Sequence, residues 1–146
     1  MIVDASVVID AVADSGARGA AARGALAAQP PGEPLLAPGH FAVEVLSGLR
    51  AAAHRPGHPF QPDDVVAALH DAEALQIRIE GTPWSDVHRA RFLAAGSLRY
   101  ADAVYLAAAE RHRTSLMTAD GRIERAGALV RCEIVTVIPE PGDPGG

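Results

Sequence analysis

Apolar residues along this chain fall into short runs separated by longer segments with helical spacing. The chain opens on Met1-Ile2-Val3, a β-type run that ends at Asp4. Ala5 to Ala13 reads as a helix, with Asp4 or Ser6 placed to cap it. Ala17 to Ala28 is alanine-rich and helical, and Pro30, Pro31, Gly32 and Pro34 break it. Leu35-Leu36-Ala37 is a second short strand, closed by Pro38-Gly39, and His40 to Ala53 is a helix. After a Pro/Gly loop at Arg55 to Pro59, Pro62-Asp63-Asp64 starts a helix that runs to about Ala74. Gln76 to Glu80 alternates as a strand. Thr82 as cap and Pro83 at the first position start a helix that ends before Gly96. Tyr100 to Arg113 is helical and Ser115 to Thr118 is a strand. An Ala-Asp-Gly turn, a short helix from Arg122 and a last strand over Glu133 to Ile138 follow. The Pro/Gly-rich stretch 139–146 reads as a disordered tail.

Short strands that alternate with helices predict a mostly parallel sheet covered on both faces, an α/β fold. Ligands in such folds sit at the carboxyl ends of strands, near the point where the strand order reverses. Asp4 and Asp120 each follow a predicted strand and would face that crevice.

The 146 residues fit one domain with one core, spanning about residues 1–138. No apolar run approaches the roughly 20 residues of a membrane span. The start carries a charge at once and lacks a basic leader, so a cytoplasmic protein is expected. A single cysteine, Cys132, excludes an internal disulfide and reads as a small buried apolar residue. The net charge of −5 argues against nucleic-acid binding through bulk charge, but leaves room for an acidic site that reaches phosphates through a cation. All 13 basic residues are arginine, which removes P-loop and Schiff-base chemistry.

Four carboxylates then stand out. Taken singly, Asp4 can be a helix cap and Asp120 part of an ordinary Asp-Gly turn. Glu44 and Asp102 are harder to explain that way. Phe41, Ala42, Val45, Leu46 and Leu49 form the apolar face of the His40–Ala53 helix, and Glu44 sits at its rim, about 60° from Phe41. Asp102 lies in Tyr100-Ala-Asp-Ala-Val-Tyr-Leu-Ala-Ala-Ala109, where nearly every other position is apolar. An Asp there either caps the helix near Tyr100 or needs a partner, because a buried charge is costly. If the four converge, they repel one another, and a divalent cation relieves the repulsion. An all-oxygen set of Asp and Glu suits Mg²⁺ or Mn²⁺ better than zinc.

Other polar and aromatic residues carry less. The six histidines lack metal-ligand spacing and read as surface residues. Asp10 reads as solvated. Asp86 reads as compensation of the helix dipole, with an outer metal ligand as the alternative. Trp84, Phe92, Tyr100 and Tyr105 read as core, with base-stacking platforms as the alternative. Arg50, Arg99 and Arg122 read as solvated side chains, with a grip on phosphates as the alternative.

Four segments together resemble the PIN-domain ribonucleases, and among them the VapC-type toxins of toxin–antitoxin pairs. They are Ile2-Val3-Asp4-Ala5-Ser6, Pro38 followed by Glu44-Val-Leu-Ser-Gly-Leu-Arg50, Tyr100-Ala-Asp102-Ala-Val-Tyr105-Leu-Ala107, and Leu116-Met-Thr118-Ala-Asp120. The resemblance implies a three-layer α/β/α sandwich around a parallel sheet. It places the family's acidic quartet on Asp4, Glu44, Asp102 and Asp120, and its hydroxyl helpers on Ser6 and Thr118. It implies Mg²⁺- or Mn²⁺-dependent endonucleolytic cleavage of RNA, with Asp4, Asp102 and Asp120 holding the cation. A cognate antitoxin and a homodimer are the partners it implies. The proline-rich loop near residues 55–62 and the tail after Ile138 depart from the shorter members. A phosphatase of the haloacid dehalogenase class is excluded, because Ser6 stands where a second Asp is required and the chain has no lysine. The rival reading is a catalytically silent PIN-like module that binds RNA or a protein.

Overall fold

Five short strands form one sheet in the computed structural model, which describes residues 1–126 and 129–142. They are β1 (Ile2–Val3), β2 (Leu36–Ala37), β3 (Arg78–Ile79), β4 (Leu116–Thr118) and β5 (Ile134–Thr136). The order is β3-β2-β1-β4-β5 and every pairing is parallel. Ile2 pairs with Leu36 on one side and with Leu116 on the other, so β1 lies at the centre.

The helices are α1 (Ala5–Ala13), α2 (Ala17–Ala27), α3 (Phe41–Ala53), α4 (Val65–Ala74), α5 (Trp84–Leu93), α6 (Tyr100–His112) and α7 (Gly121–Arg125). A 3₁₀ turn over Pro62–Asp64 leads into α4. From β1 to β3 the chain moves toward one edge, and from β3 to β5 it moves back past β1 toward the other. Right-handed crossovers therefore put α1–α4 on one face and α5–α7 on the other. Packing agrees: α1 meets α2, α3 and α4, while α5 meets α6. The fold is thus the three-layer α/β/α sandwich expected from the resemblance.

Burial on both faces explains why β1 and β4 read as unbroken apolar runs. Ile2, Val3, Leu116 and Met117 are all fully buried, between Val7, Val8 and Leu49 on one side and Tyr105, Leu106 and Ala109 on the other. The order reverses between β1 and β4, and both strands end there in Asp4 and in Thr118-Ala119-Asp120.

Three expectations shift. The strand expected over Gln76–Glu80 is only Arg78–Ile79, an exposed edge. Gln76 takes a left-handed φ of 55°, which ends α4's last turn and keeps it out of the strand. Thr82 does not cap α5; its hydroxyl accepts from the Gly39 amide, and Pro83 holds the cap position. Two of the five residues of α3's expected apolar face are also revised: Leu46 is about half exposed and Ala42 is exposed, while Ala52 and Ala53 are buried. Residues 139–142 have no regular structure, and the rest of the expected tail, 143–146, lies outside the described residues.

Candidate active site

Asp4 occupies the cap position of α1, but its side chain makes no capping bond. The carboxylate turns instead toward β4. Its Oδ2 accepts from Ser6 Oγ at 2.6 Å and from Thr118 Oγ1 at 2.7 Å. Ser6 Oγ accepts in turn from the Ala119 amide at 2.9 Å, and Thr118 Oγ1 from the Asp120 amide at 3.0 Å. Each hydroxyl thus accepts from a backbone N–H at the β4 end and donates its own O–H to Asp4. This is more hydrogen bonding than a helix cap requires, and it fixes one oxygen of Asp4 across the reversal point.

Asp4 is buried, and burial pushes its carboxyl above the usual range. The two hydroxyls pull it back, while the negative charges of Asp102 and Glu44 push it up further.

Asp102 is also buried and does not cap α6, whose cap position is Arg99. It is met by a fork from Arg99, with Nε to Oδ2 at 3.0 Å and Nη2 to Oδ1 at 3.1 Å. Asp120 does cap its helix: Oδ1 accepts from the Arg122 amide at 2.9 Å. The Arg122 guanidinium also grips it, with Nη2 to Oδ2 at 2.7 Å and Nε near both oxygens. That contact holds the Asp120 carboxyl below its usual range. Asp120 is therefore a helix cap rather than part of the expected Ala-Asp-Gly turn, and the cap describes only part of the residue's contacts.

Glu44 is half-buried on α3 and accepts from the Tyr105 hydroxyl on α6 at 2.7 Å. Burial above all, with the charges of Asp4 and Glu44, keeps that phenol neutral and so a donor. His40 Nε2 lies 3.1 Å from the Ala101 carbonyl oxygen and 3.3 Å from Glu44 Oε1. Both neighbours accept, so Nε2 carries the proton. The His40 ring packs on Tyr105 with centroids 4.8 Å apart.

All four acids line a single cavity of about 440 Å³, together with Ser6, Ser47, Gly48, Arg99 and Arg122. Among the described residues no three metal-ligating side chains are grouped closely enough to hold one ion. Asp102 and Asp120 are each turned onto an arginine, Arg99 and Arg122. The donor set still fits a hard divalent cation. It is entirely carboxylate and hydroxyl oxygen, and its central carboxylate, Asp4, is buried with no cationic side chain bonded to it among the described residues.

Several sequence expectations are corrected here. Trp84, Phe92 and Tyr100 are 79%, 71% and 69% exposed, so only Tyr105 of the four aromatics is core. The face of α5 that meets the protein is Asp86, Ala90 and Leu93, one stripe at helical spacing, which turns Trp84 and Phe92 outward. Asp86 is buried away from the cavity, with both oxygens 3.0 Å from Arg111 Nε. It keeps its expected place in the first turn of α5, but it does not line the cavity. His40 and His112 are not free surface residues, since His112 Nε2 contacts Glu80 Oε2 at 2.6 Å. Asp10 pairs with Arg18, and Cys132 is half-buried rather than buried. The roles of Tyr105 and His40 were missed, although spacing offered a signal: Tyr105 is one turn after Asp102, and His40 one turn before Glu44.

A parallel α/β sandwich with carboxylates gathered where the strand order reverses defines an acidic-site α/β domain. The PIN domain model matches residues 1–129, and the chain belongs to that family. No curated protein matches the sequence. Among solved structures, the fold is similar to VapC20 of Mycobacterium tuberculosis, described as a sarcin-ricin loop cleaving toxin. That match has a TM-score of 0.64 and 21% identity, over 88% of this chain and 95% of that one. A toxin–antitoxin complex from Klebsiella pneumoniae matches with a TM-score of 0.66 and 23% identity, over 95% and 98%. VapBC2 from Rickettsia felis, bound to a DNA fragment from its promoter, matches with 0.65 and 9%, over 92% and 96%. Among the described residues no helix is long and apolar enough to cross a membrane.

Proposed function

We propose that this protein is a Mg²⁺- or Mn²⁺-dependent endoribonuclease and the toxin of a toxin–antitoxin pair. The observation that carries the reading is the convergence of Asp4, Glu44, Asp102 and Asp120 on one cavity at the point of strand-order reversal. Membership of the PIN family and likeness to toxin structures support it.

In this reading Asp4, Asp102 and Asp120 hold the cation through carboxylate oxygens. A divalent cation there supplies a nucleophile of lowered pKa and charge for the phosphate oxygens. Ser6 and Thr118 lock Asp4 by occupying one of its oxygens, leaving the other for the cation. Glu44 has one oxygen fixed by Tyr105 and offers the second to orient the attacking water and take its proton. No group of the chain needs to form a covalent bond to the substrate.

The proposed partners are an antitoxin, by likeness to the complexes above, and a second copy of the chain. Val43 and Leu46 on α3, with Trp84 and Phe92 on α5, leave apolar side chains exposed for such contacts. The proposed compartment is the cytoplasm.

One observation favours a second reading, a catalytically silent PIN module. Arg99 and Arg122 already neutralise two of the four acids. Cleavage of single-stranded RNA with Mg²⁺, compared with EDTA and with Asp4→Asn, decides between them. Loss of cleavage in both controls supports the nuclease, and undiminished cleavage in either sinks it. A silent module shows no cleavage and no thermal stabilisation by Mg²⁺ or Mn²⁺.

A further inference from the structure

Arg99 and Arg122 are arranged unequally with respect to the acids they grip. Their side chains are 64% and 72% exposed, whereas those of Asp102 and Asp120 are 8% and 18% exposed. The acids are fixed by the fold, and the long arginines are the movable halves of the pairs. A second cleft of about 280 Å³ adjoins the acidic cavity and shares Arg99, Asp102 and Arg122 with it. Arg125 also lines this cleft, and among the described residues it has no carboxylate partner. The chain therefore sets three guanidiniums beside four carboxylates, with two of them bridging the two spaces. Guanidiniums match the fork geometry of a phosphodiester as well as that of a carboxylate.

Building on the reading of the four acids as a cation site, we propose that Arg99 and Arg122 are exchangeable internal counter-ions. Without a divalent cation they neutralise Asp102 and Asp120. When those carboxylates take a cation instead, the freed guanidiniums join Arg125 and form a phosphate-binding cleft beside the acidic cavity. Phosphate grip and cation loading are then one event, and the cleft has little hold on phosphate while the cation is absent. A net charge of −5 makes such local cations the means of holding a polyanion.

Two measurements on the full chain test this. The first is Mn²⁺ affinity by calorimetry for the wild type, Arg99→Gln, Arg122→Gln and Arg125→Gln. Removing either competing arginine tightens Mn²⁺ by roughly fivefold, the upper range for an exposed ion pair. Arg125→Gln removes the same charge from the same cleft and changes affinity by less than about twofold. The second follows the arginine Nε–H resonances of the wild type, assigned by their loss in Arg→Lys variants. Mg²⁺ shifts the Arg99 and Arg122 signals with one shared midpoint. Inorganic phosphate then moves them in the presence of Mg²⁺ and not in its absence.

Equal tightening in all three variants means that bulk charge is the cause, and overturns the proposal. So does a wild type that binds Mn²⁺ while its Arg99 and Arg122 resonances stay still, or one whose signals answer phosphate equally with and without Mg²⁺. A wild type that binds no divalent cation at all overturns the nuclease reading, and this inference with it.

Discussion

The Tyr105 hydroxyl donates to Glu44 Oε1 at 2.7 Å, joining α6 on one face of the sheet to α3 on the other above the strand ends. Its burial and the neighbouring carboxylates hold the phenol in the neutral donor form. Glu44 is thereby oriented, with His40 Nε2 as the second contact on the same oxygen. Tyr105→Phe keeps the ring and its contact with His40 but removes this donor. On the proposed nuclease reading, the expected outcome is a fall in kcat for RNA cleavage of roughly tenfold with KM little changed, because Glu44 would then be a loosened catalytic group that loses its alignment. Stability falls by about 1 kcal/mol, the usual worth of one such bond. Single-turnover cleavage and urea unfolding check the two parts separately. An unchanged kcat would mean that Glu44 is positioned by something other than Tyr105.

Asp4 makes the opposite demand on the fold. Its carboxyl is pushed up by burial and by Asp102 and Glu44, so its charge destabilises the cation-free protein at neutral pH. The sign is that of a raised folded pKa in an acid. The native state holds the proton more tightly than the unfolded chain, so the contribution is complete below about 4 and is lost as pH rises through the raised folded value. Asp4→Asn removes the charge and keeps an oxygen able to accept from Ser6 and Thr118. The variant is expected to melt roughly 2–4 °C higher than the wild type in EDTA at pH 7. It is also expected to gain far less from added Mg²⁺ and to cleave nothing. Thermal melts with and without Mg²⁺ read all but the last directly. A lower melting temperature in EDTA would show that the carboxylate is structural.

How much of this was legible in the sequence depended on what set each feature. β1 and β4 stood out because strands buried on both faces read as continuous apolar runs, and Asp4 and Asp120 were therefore located by their strand ends. Asp102 stood out because no partner for it could be seen among apolar neighbours. Its actual neutraliser, Arg99, lies only one turn away, but a flexible side chain's choice among nearby acids is made by the tertiary fold. The same holds for Arg122, which could have faced solvent. Trp84 and Phe92 misled for a related reason. Apolar character alone places a residue in the core, but α5 meets α6 through the Asp86–Arg111 pair, Ala90 and Leu93, and this selects the other face. Asp86 itself looked like an ordinary first-turn acid, since nothing local reveals an arginine 25 residues on.

Away from the site, acid lability should follow Glu110. Its carboxylate accepts from Arg89 Nε at 2.7 Å, from Arg89 Nη2 at 3.1 Å and from the Arg131 amide at 2.8 Å. The Arg89 hydrogen bond above all holds its pKa below the ordinary 4.5. A depressed folded pKa contributes stability that is complete above the unfolded value and is lost as pH falls through the folded one. Glu110→Gln removes that contribution. The variant is expected to be less stable at pH 7 by about 1–3 kcal/mol, the cost of breaking a hydrogen-bonded charge contact. Its stability should also fall less steeply than the wild type's from pH 5 to pH 3. Denaturant midpoints across that range measure the slopes, and parallel slopes would remove Glu110 from the account.

Gly19 offers a test of packing that runs against helix propensity. It lies in α2, an exposed alanine-rich helix, where Ala in place of Gly normally stabilises by about 1 kcal/mol. At this position an added Cβ would overlap the carbonyl oxygen of Asp14 and crowd Arg23 Nη1. The Asp14 segment cannot easily withdraw. Its carboxylate accepts from the amides of Gly16 and Gly19, and its carbonyl accepts from Arg23 Nη1 at 3.0 Å. Gly19→Ala is therefore expected to lower stability by about 1–3 kcal/mol, as overpacked sites do. Gly24→Ala in the same helix meets nothing within 4 Å and should raise it. Comparing the two substitutions by chemical denaturation cancels their shared effect on the unfolded chain, which leaves the overlap at Asp14 as the difference. Equal gains from both would show that α2 can shift away from Asp14, and that the α1–α2 junction is looser than its hydrogen bonds imply.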